Sequence, residues 1–130
     1  MILLDTHVAV WLALDPEKIS QPAASAIESA QEEGRTIALS CVSLYEMARL
    51  VHRGRVVLET STERLFDQLY SLLSIIGLSR EIALIAARFP SRFPGDPMDR
   101  VIAATALAEN FTLITADRRI LTASAVRTLW

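Results

Sequence analysis

The sequence predicts an α/β/α sandwich, in which helices cover both faces of a parallel sheet. Three observations predict it. Short apolar runs, too brief to be helices, recur along the chain; helix-periodic segments separate them; and glycines and prolines fall singly where one segment gives way to the next. Parallel neighbours need a crossover, usually a helix, so the alternation itself argues for a doubly covered sheet. A chain of 130 residues suits one domain, 1–130, and 52% hydrophobic residues supply a core without disulfides or a structural metal.

Taken in order, "ILLD" (2–5) reads as the first strand and 7–14 as the first helix. A helix over 22–33, closed by Gly34, leads to the strand "TIALS" (36–40). A helix over 44–53 is closed by Gly54, and a helix over 63–73, with Leu65, Leu69, Leu72 and Leu73 inward, feeds a further strand in "SIIGLS" (74–79). Helices over 80–88 and 98–109 precede the strand "FTLIT" (111–115), and "AVRTLW" (125–130) is the candidate for a last one. Cys41 stands alone, which excludes an intrachain disulfide and reads as a small buried residue after a strand. No apolar run reaches the roughly 18 residues of a membrane helix, and the apolar start carries Asp5 and His7 without a basic leader, so a cytoplasmic chain with no membrane contact is expected.

The net charge of −2, from 13 basic and 15 acidic side chains, does not announce a nucleic-acid binder of the basic-patch kind. Carboxylates gathered on a bound divalent cation would leave the remaining surface more positive than that count suggests. In open parallel sheets ligands bind beyond the carboxyl ends of the strands. Asp5 follows the first strand, Asp117 lies just beyond "FTLIT", Glu46 comes early in the helix after "TIALS", and Asp96 and Asp99 open the helix before "FTLIT". Four segments thus bring acids to one edge.

Each acid has a local explanation to weigh. "SLYE" fits a capping box with Ser43 as N-cap and Glu46 reaching back. In "DPMD", Asp96 caps, Pro97 takes the first helical position and Asp99 meets the positive end of the helix dipole. Asp117 reads as an N-cap and turn. Asp5, at the end of a buried strand, needs a cation or a cap. Together the acids repel unless a cation or shared protons compensate, and the chain's one lysine, Lys18, lies elsewhere. Oxygen donors without a cysteine or histidine set point to Mg²⁺ or Mn²⁺, whose remaining ligand is usually phosphate. Such a site would hydrolyse a phosphate ester, the cation activating the attacking water. Asp99 is the better ligand and Asp96 the better N-cap or outer acceptor.

"ILLDTH", Glu46 in "SLYEMARL", "DRVIAATA" and "LITAD" resemble, in order, the four acidic motifs of PIN-domain ribonucleases, especially the VapC-type toxins of prokaryotic toxin–antitoxin pairs. The resemblance implies a PIN-like sandwich with a parallel sheet of four or five strands, usually a homodimer. It also implies an Mg²⁺- or Mn²⁺-dependent endoribonuclease acting on single-stranded or looped RNA, held inactive by a small antitoxin protein. Carried over, Asp5, Glu46, Asp99 and Asp117 are the acidic quartet: Asp5, Asp99 and Asp117 hold the cation, and Glu46 ligates it or orients the water. Thr6 and Thr115 match positions that orient the quartet. "GDPMDR" resembles a branch with "DPFDR" there, which leaves the division of work between Asp96 and Asp99 open.

Other residues carry two readings each. Arg49 and Arg53, with Arg55, either flank an RNA path or form a solvated helix face. Arg118 contacts substrate phosphate or is a surface arginine, His7 touches substrate or, the better reading, is simply hydrogen-bonded, and His52 is solvated. Trp11, Leu44, Leu50 and Val51 pack in the core or line a groove for an amphipathic antitoxin segment. Two other functions compete: a housekeeping PIN nuclease in RNA processing, and a catalytically silent α/β metal-binding or signalling module. Against a receiver-like or aspartyl-phosphatase site stand the histidine at position 7 and the lack of a suitable lysine.

Overall fold

A computed structural model describes residues 1–130. The first strand, β1 (Ile2–Leu4), is flanked by β2 (Ile37–Ser40) and β4 (Thr112–Ile114); β3 (Ser74–Ile76) and β5 (Thr128–Leu129) form the edges. The order is β3-β2-β1-β4-β5 and every pairing is parallel, with Leu4 in register with Leu39 on one side and Ile114 on the other. All residues of β1 and β2 are buried, as strands covered on both faces must be. The expected sandwich and its parallel sheet are therefore present, with five strands.

The period-2 alternation of the strands divides the core. Ile2, Leu4, Ile37, Leu39 and Ile114 pack into one cluster with α1 (Thr6–Leu14), α2 (Gln21–Glu32), α3 (Cys41–His52) and α4 (Thr62–Leu72). Leu3, Ala38 and Leu113 face the other way, onto α6 (Pro97–Ala108) and α7 (Arg118–Ala123), with α5 (Arg80–Arg88) packed behind α6. Gly34 and Gly54 close α2 and α3 at φ 63° and 71°, a left-handed turn that any Cβ would strain.

Several boundaries differ from the sequence reading. Helix α1 begins at Thr6 because Asp5 is its N-cap. Helix α3 begins at Cys41 with Ser40 in the cap position, so Ser43 lies inside the helix and the Ser43–Glu46 capping box does not form. Cys41 is accordingly a half-buried first helical residue rather than a buried one after a strand. The strand in "SIIGLS" stops at Ile76, since Ser79 already caps α5. Leu65, Leu69 and Leu73 are buried, but Leu72 is 54% exposed on the outer face of α4. Helix α7 was not anticipated at all. No helix is long and apolar enough to cross a membrane.

The chain lays β2 and β3 to one side of β1, then returns to lay β4 and β5 on the other. The reversal falls beside β1, and loops there part to leave a crevice at the carboxyl ends of β1 and β4. The start of α6 is held at that end by Arg100. Its guanidinium donates to the carbonyls of Pro94 (2.9 Å), Phe89 (3.1 Å), Ala86 (3.4 Å) and Phe93 (3.4 Å), tying the 89–94 loop and the end of α5 to α6. Arg100→Met keeps the aliphatic stem but orphans these carbonyls, and should lower unfolding free energy by about 2–4 kcal/mol in urea titration. An unchanged midpoint would show that the loop is held by other means.

Candidate functional site

The crevice opens into a hollow of about 340 Å³ lined by Asp5, Glu46, Asp96, Asp99 and Asp117, with His7, Trp11 and Arg119 at its sides. The structure thus brings the four residues of the expected quartet to one place, together with Asp96.

Asp5 is the buried member, 7% exposed. Its Oδ1 accepts from the backbone N–H of Thr6 (2.8 Å) and its Oδ2 from the Thr115 hydroxyl (2.7 Å). Burial raises its pKa, and the bonds from Thr115 and Thr6 pull back only part of that rise. The Thr115 oxygen also accepts from the backbone N–H of Asp117 (3.1 Å), so one threonine just after β4 orients two acids from different segments. The Thr6 hydroxyl donates to Ser43 (2.9 Å), which pins α1 to α3. Ser43 and Glu46 are three apart on α3, on one helical face, so this bond also places Glu46.

Asp96 caps α6, its Oδ1 accepting from the N–H groups of Met98 (2.8 Å) and Asp99 (3.2 Å). Asp99 lies in the first turn behind it, with its side chain 14% exposed. Burial, then the charges of Asp5, Asp96, Asp117 and Glu46, push its pKa up to about 7. Asp117 caps α7 and is held below the usual carboxylate range, chiefly by hydrogen bonds from Arg119. The Arg119 guanidinium lies 2.7 Å from Asp117 Oδ2 and 3.4 Å from Asp99 Oδ2.

These oxygens are the donors available to a cation. As they stand, no three of them are close enough to share one, and the Arg119 guanidinium engages two. The donor set suits a hard divalent cation in chemistry: all oxygen, one carboxylate buried, and another whose proton affinity is raised by burial and by its acidic neighbours. The Ser40 hydroxyl, at the end of β2, is also buried without a protein partner, so a polar group, water at least, belongs beside it.

The arginines are distributed differently from expectation. Arg118 is exposed and lines another hollow with Leu121 and Trp130, while its neighbour Arg119 enters the acidic one. The N-cap expected at Asp117 does form, but it opens a helix, α7, whose second residue is Arg119. Arg49 and Arg53 line a separate shallow hollow with Tyr45 and His52, Arg49 standing 5.7 Å from the Tyr45 ring centre. Neither reaches the acids. His7 is exposed at the mouth, 6.1 Å from the Trp11 ring. Trp11 and Leu50 line an adjoining apolar hollow with Val10, Leu14, Val56 and Val57. Leu44 packs against the core.

The family model of the PIN domain matches residues 2–125. Ribonuclease VapC22 of Mycobacterium tuberculosis (strain ATCC 25618 / H37Rv) is 38% identical over 119 residues, 92% of this chain and 88% of that relative. Among solved structures, VapBC2 from Rickettsia felis bound to a promoter DNA fragment is similar with a TM-score of 0.75 at 22% identity, covering 99% of this chain and 98% of that one. A toxin–antitoxin complex from Klebsiella pneumoniae is similar with a TM-score of 0.71 at 20% identity, covering 100% and 97%. These two structures share the fold.

The raised proton affinities have a consequence for stability. Asp99, raised from 3.8 to about 7, binds a proton in the folded chain over a range where the unfolded chain has lost it, and Asp5 is shifted in the same direction. Metal-free stability should therefore fall as pH rises through that window. Asp99→Asn should flatten the fall and raise Tm at pH 8 by about 3 °C or more. A Tm at or below wild type at that pH, measured calorimetrically in EDTA, would contradict the electrostatic reading of Asp99.

Proposed function

The chain belongs to the PIN-domain family, and from that membership we propose that it is a divalent-metal-dependent endoribonuclease, the toxin of a toxin–antitoxin pair. The 38% identity to a protein named as a ribonuclease supports the activity. The observation that carries the site assignment is the convergence of Asp5, Glu46, Asp99 and Asp117, from four segments, on the crevice where the sheet order reverses.

Asp5, Asp99 and Asp117 would hold Mg²⁺ or Mn²⁺. The bound cation supplies a Lewis acid for the phosphodiester and lowers the pKa of the attacking water. The protein's own contribution is placement. Thr6 and Thr115 fix Asp5, the α6 cap at Asp96 fixes Asp99, and Thr115 with the α7 cap fixes Asp117. Asp99 gives up its proton on taking up a positive partner. Glu46, half-buried at the rim and placed through Ser43, is positioned to accept a proton from the attacking water. The open mouth beside His7 and Trp11 admits an extended strand, in keeping with single-stranded or looped RNA.

The partners follow from the same reading. The solved relatives named as toxin–antitoxin complexes favour a small antitoxin. The apolar hollow of Val10, Trp11, Leu14, Leu50, Val56 and Val57, which shares His7 and Trp11 with the acidic one, is where an amphipathic antitoxin segment would lie. We also assign a homodimeric assembly and a cytoplasmic location on family grounds.

Purified protein should cut single-stranded RNA with Mg²⁺ or Mn²⁺ and not in EDTA. Asp99→Asn should lower kcat/KM by about 10²-fold or more, and Asp96→Asn, where asparagine still caps the helix, by only several-fold. Equal losses, or the reverse order, would move the ligand role to Asp96. A wild type that neither binds Mn²⁺ nor cuts RNA would reduce the acids to helix caps.

A further inference from the structure

We propose that Arg119 is the resident counter-cation of the acidic hollow: a divalent cation displaces it from Asp99 and Asp117, and the released guanidinium then binds a phosphate of the RNA. This rests on the ribonuclease reading and adds a substrate-binding residue to it. Arg119 is the one lysine or arginine lining the hollow, facing five carboxylates. It donates to Asp117 through two nitrogens, to Oδ2 (2.7 Å) and Oδ1 (3.1 Å), and lies 3.4 Å from Asp99 Oδ2, oxygens a cation would need. Arginine and metal therefore compete for the same atoms.

Three features make the exchange physically cheap. The Arg119 side chain is 68% exposed, so its ion pairs are screened and rehydrate readily on opening. Asp117 has anchors besides the two guanidinium bonds: its Oδ1 also accepts from the Arg119 backbone N–H (2.9 Å), and its own N–H is bonded to Thr115. The carboxylate stays in place when the side chain swings away. The Arg119 Cα is held in the first turn of α7, so the released fork remains at the rim, where its planar donors match a phosphate in bidentate fashion. Arg118 cannot substitute, since it lines a different hollow.

The test compares wild type, Arg119→Gln, Arg119→Lys and Arg118→Gln in two assays: calorimetric titration with Mn²⁺ without RNA, and steady-state cleavage of single-stranded RNA. Arg119→Gln should bind Mn²⁺ about 2–5-fold tighter, an advantage that shrinks with added salt. It should also raise KM for RNA about 10-fold with kcat little changed. Arg119→Lys should restore wild-type Mn²⁺ affinity but not KM, and Arg118→Gln should match wild type in both. Unchanged or weaker Mn²⁺ binding by Arg119→Gln overturns the displacement, and an unchanged KM overturns the phosphate contact. A wild type that binds no Mn²⁺ overturns the ribonuclease reading as well, so the two failures are distinct.

Discussion

The structure turns on a carboxylate that folding removes from water. Asp5 follows the central strand, with Leu3 and Leu4 fully buried behind it, and is itself 7% exposed, meeting the outside only through the crevice it lines. A buried carboxylate must be bonded, and the bonds it takes organise its surroundings. One comes from Thr6, which starts α1; the other comes from Thr115 at the end of β4. The second requires β4 to lie next to β1, so the sheet order and the acidic hollow are one arrangement seen at two scales. Thr115 passes the constraint to Asp117, and Thr6 passes it through Ser43 to α3 and Glu46.

This also explains how a chain with a net charge of only −2 holds so concentrated a negative site. Five carboxylates face one guanidinium in the hollow. The cluster answers in the two ways electrostatics allows: the proton affinities of Asp99 and Asp5 rise, and Asp117 pairs with Arg119. Caps and ligands are not rival explanations here. Asp5, Asp96 and Asp117 each cap a helix, and the capping bonds aim the remaining oxygens of those helix starts at a common space.

Much of this was legible in the sequence. "ILLD", "TIALS" and "FTLIT" are short, mostly apolar runs that end at a polar residue and alternate with helical segments, as covered parallel strands do, so the sheet and its carboxyl edge followed. "DPMD" announced the α6 start because Asp-Pro fixes both cap and first turn. What was missed turns on short-range detail. Helix α7 is six residues long, too short for a 3.6-residue period to show, and without it Arg119 had no assigned direction. Ser43 matched a capping box in spacing, yet α3 starts three residues earlier than that box requires because β2 runs directly into it, and tertiary contact with Thr6 claims the hydroxyl. Leu72 follows the helical apolar pattern but falls where α4 is ending and turns outward. Arg100 reads as one more charge in "MDRV"; its carbonyl partners belong to a loop whose path no periodicity encodes.

The central claim is that these acids gather on one divalent cation, and mapping bound Mn²⁺ by paramagnetic broadening of backbone amide signals tests it most directly. Substoichiometric Mn²⁺ should erase the amides of residues 5–7, 46, 96, 98–100 and 115–119 first, while those of α2 and the outer face of α5 stay sharp. Broadening centred elsewhere, or spread evenly over the exposed acids, would contradict a cation site at the end of β1.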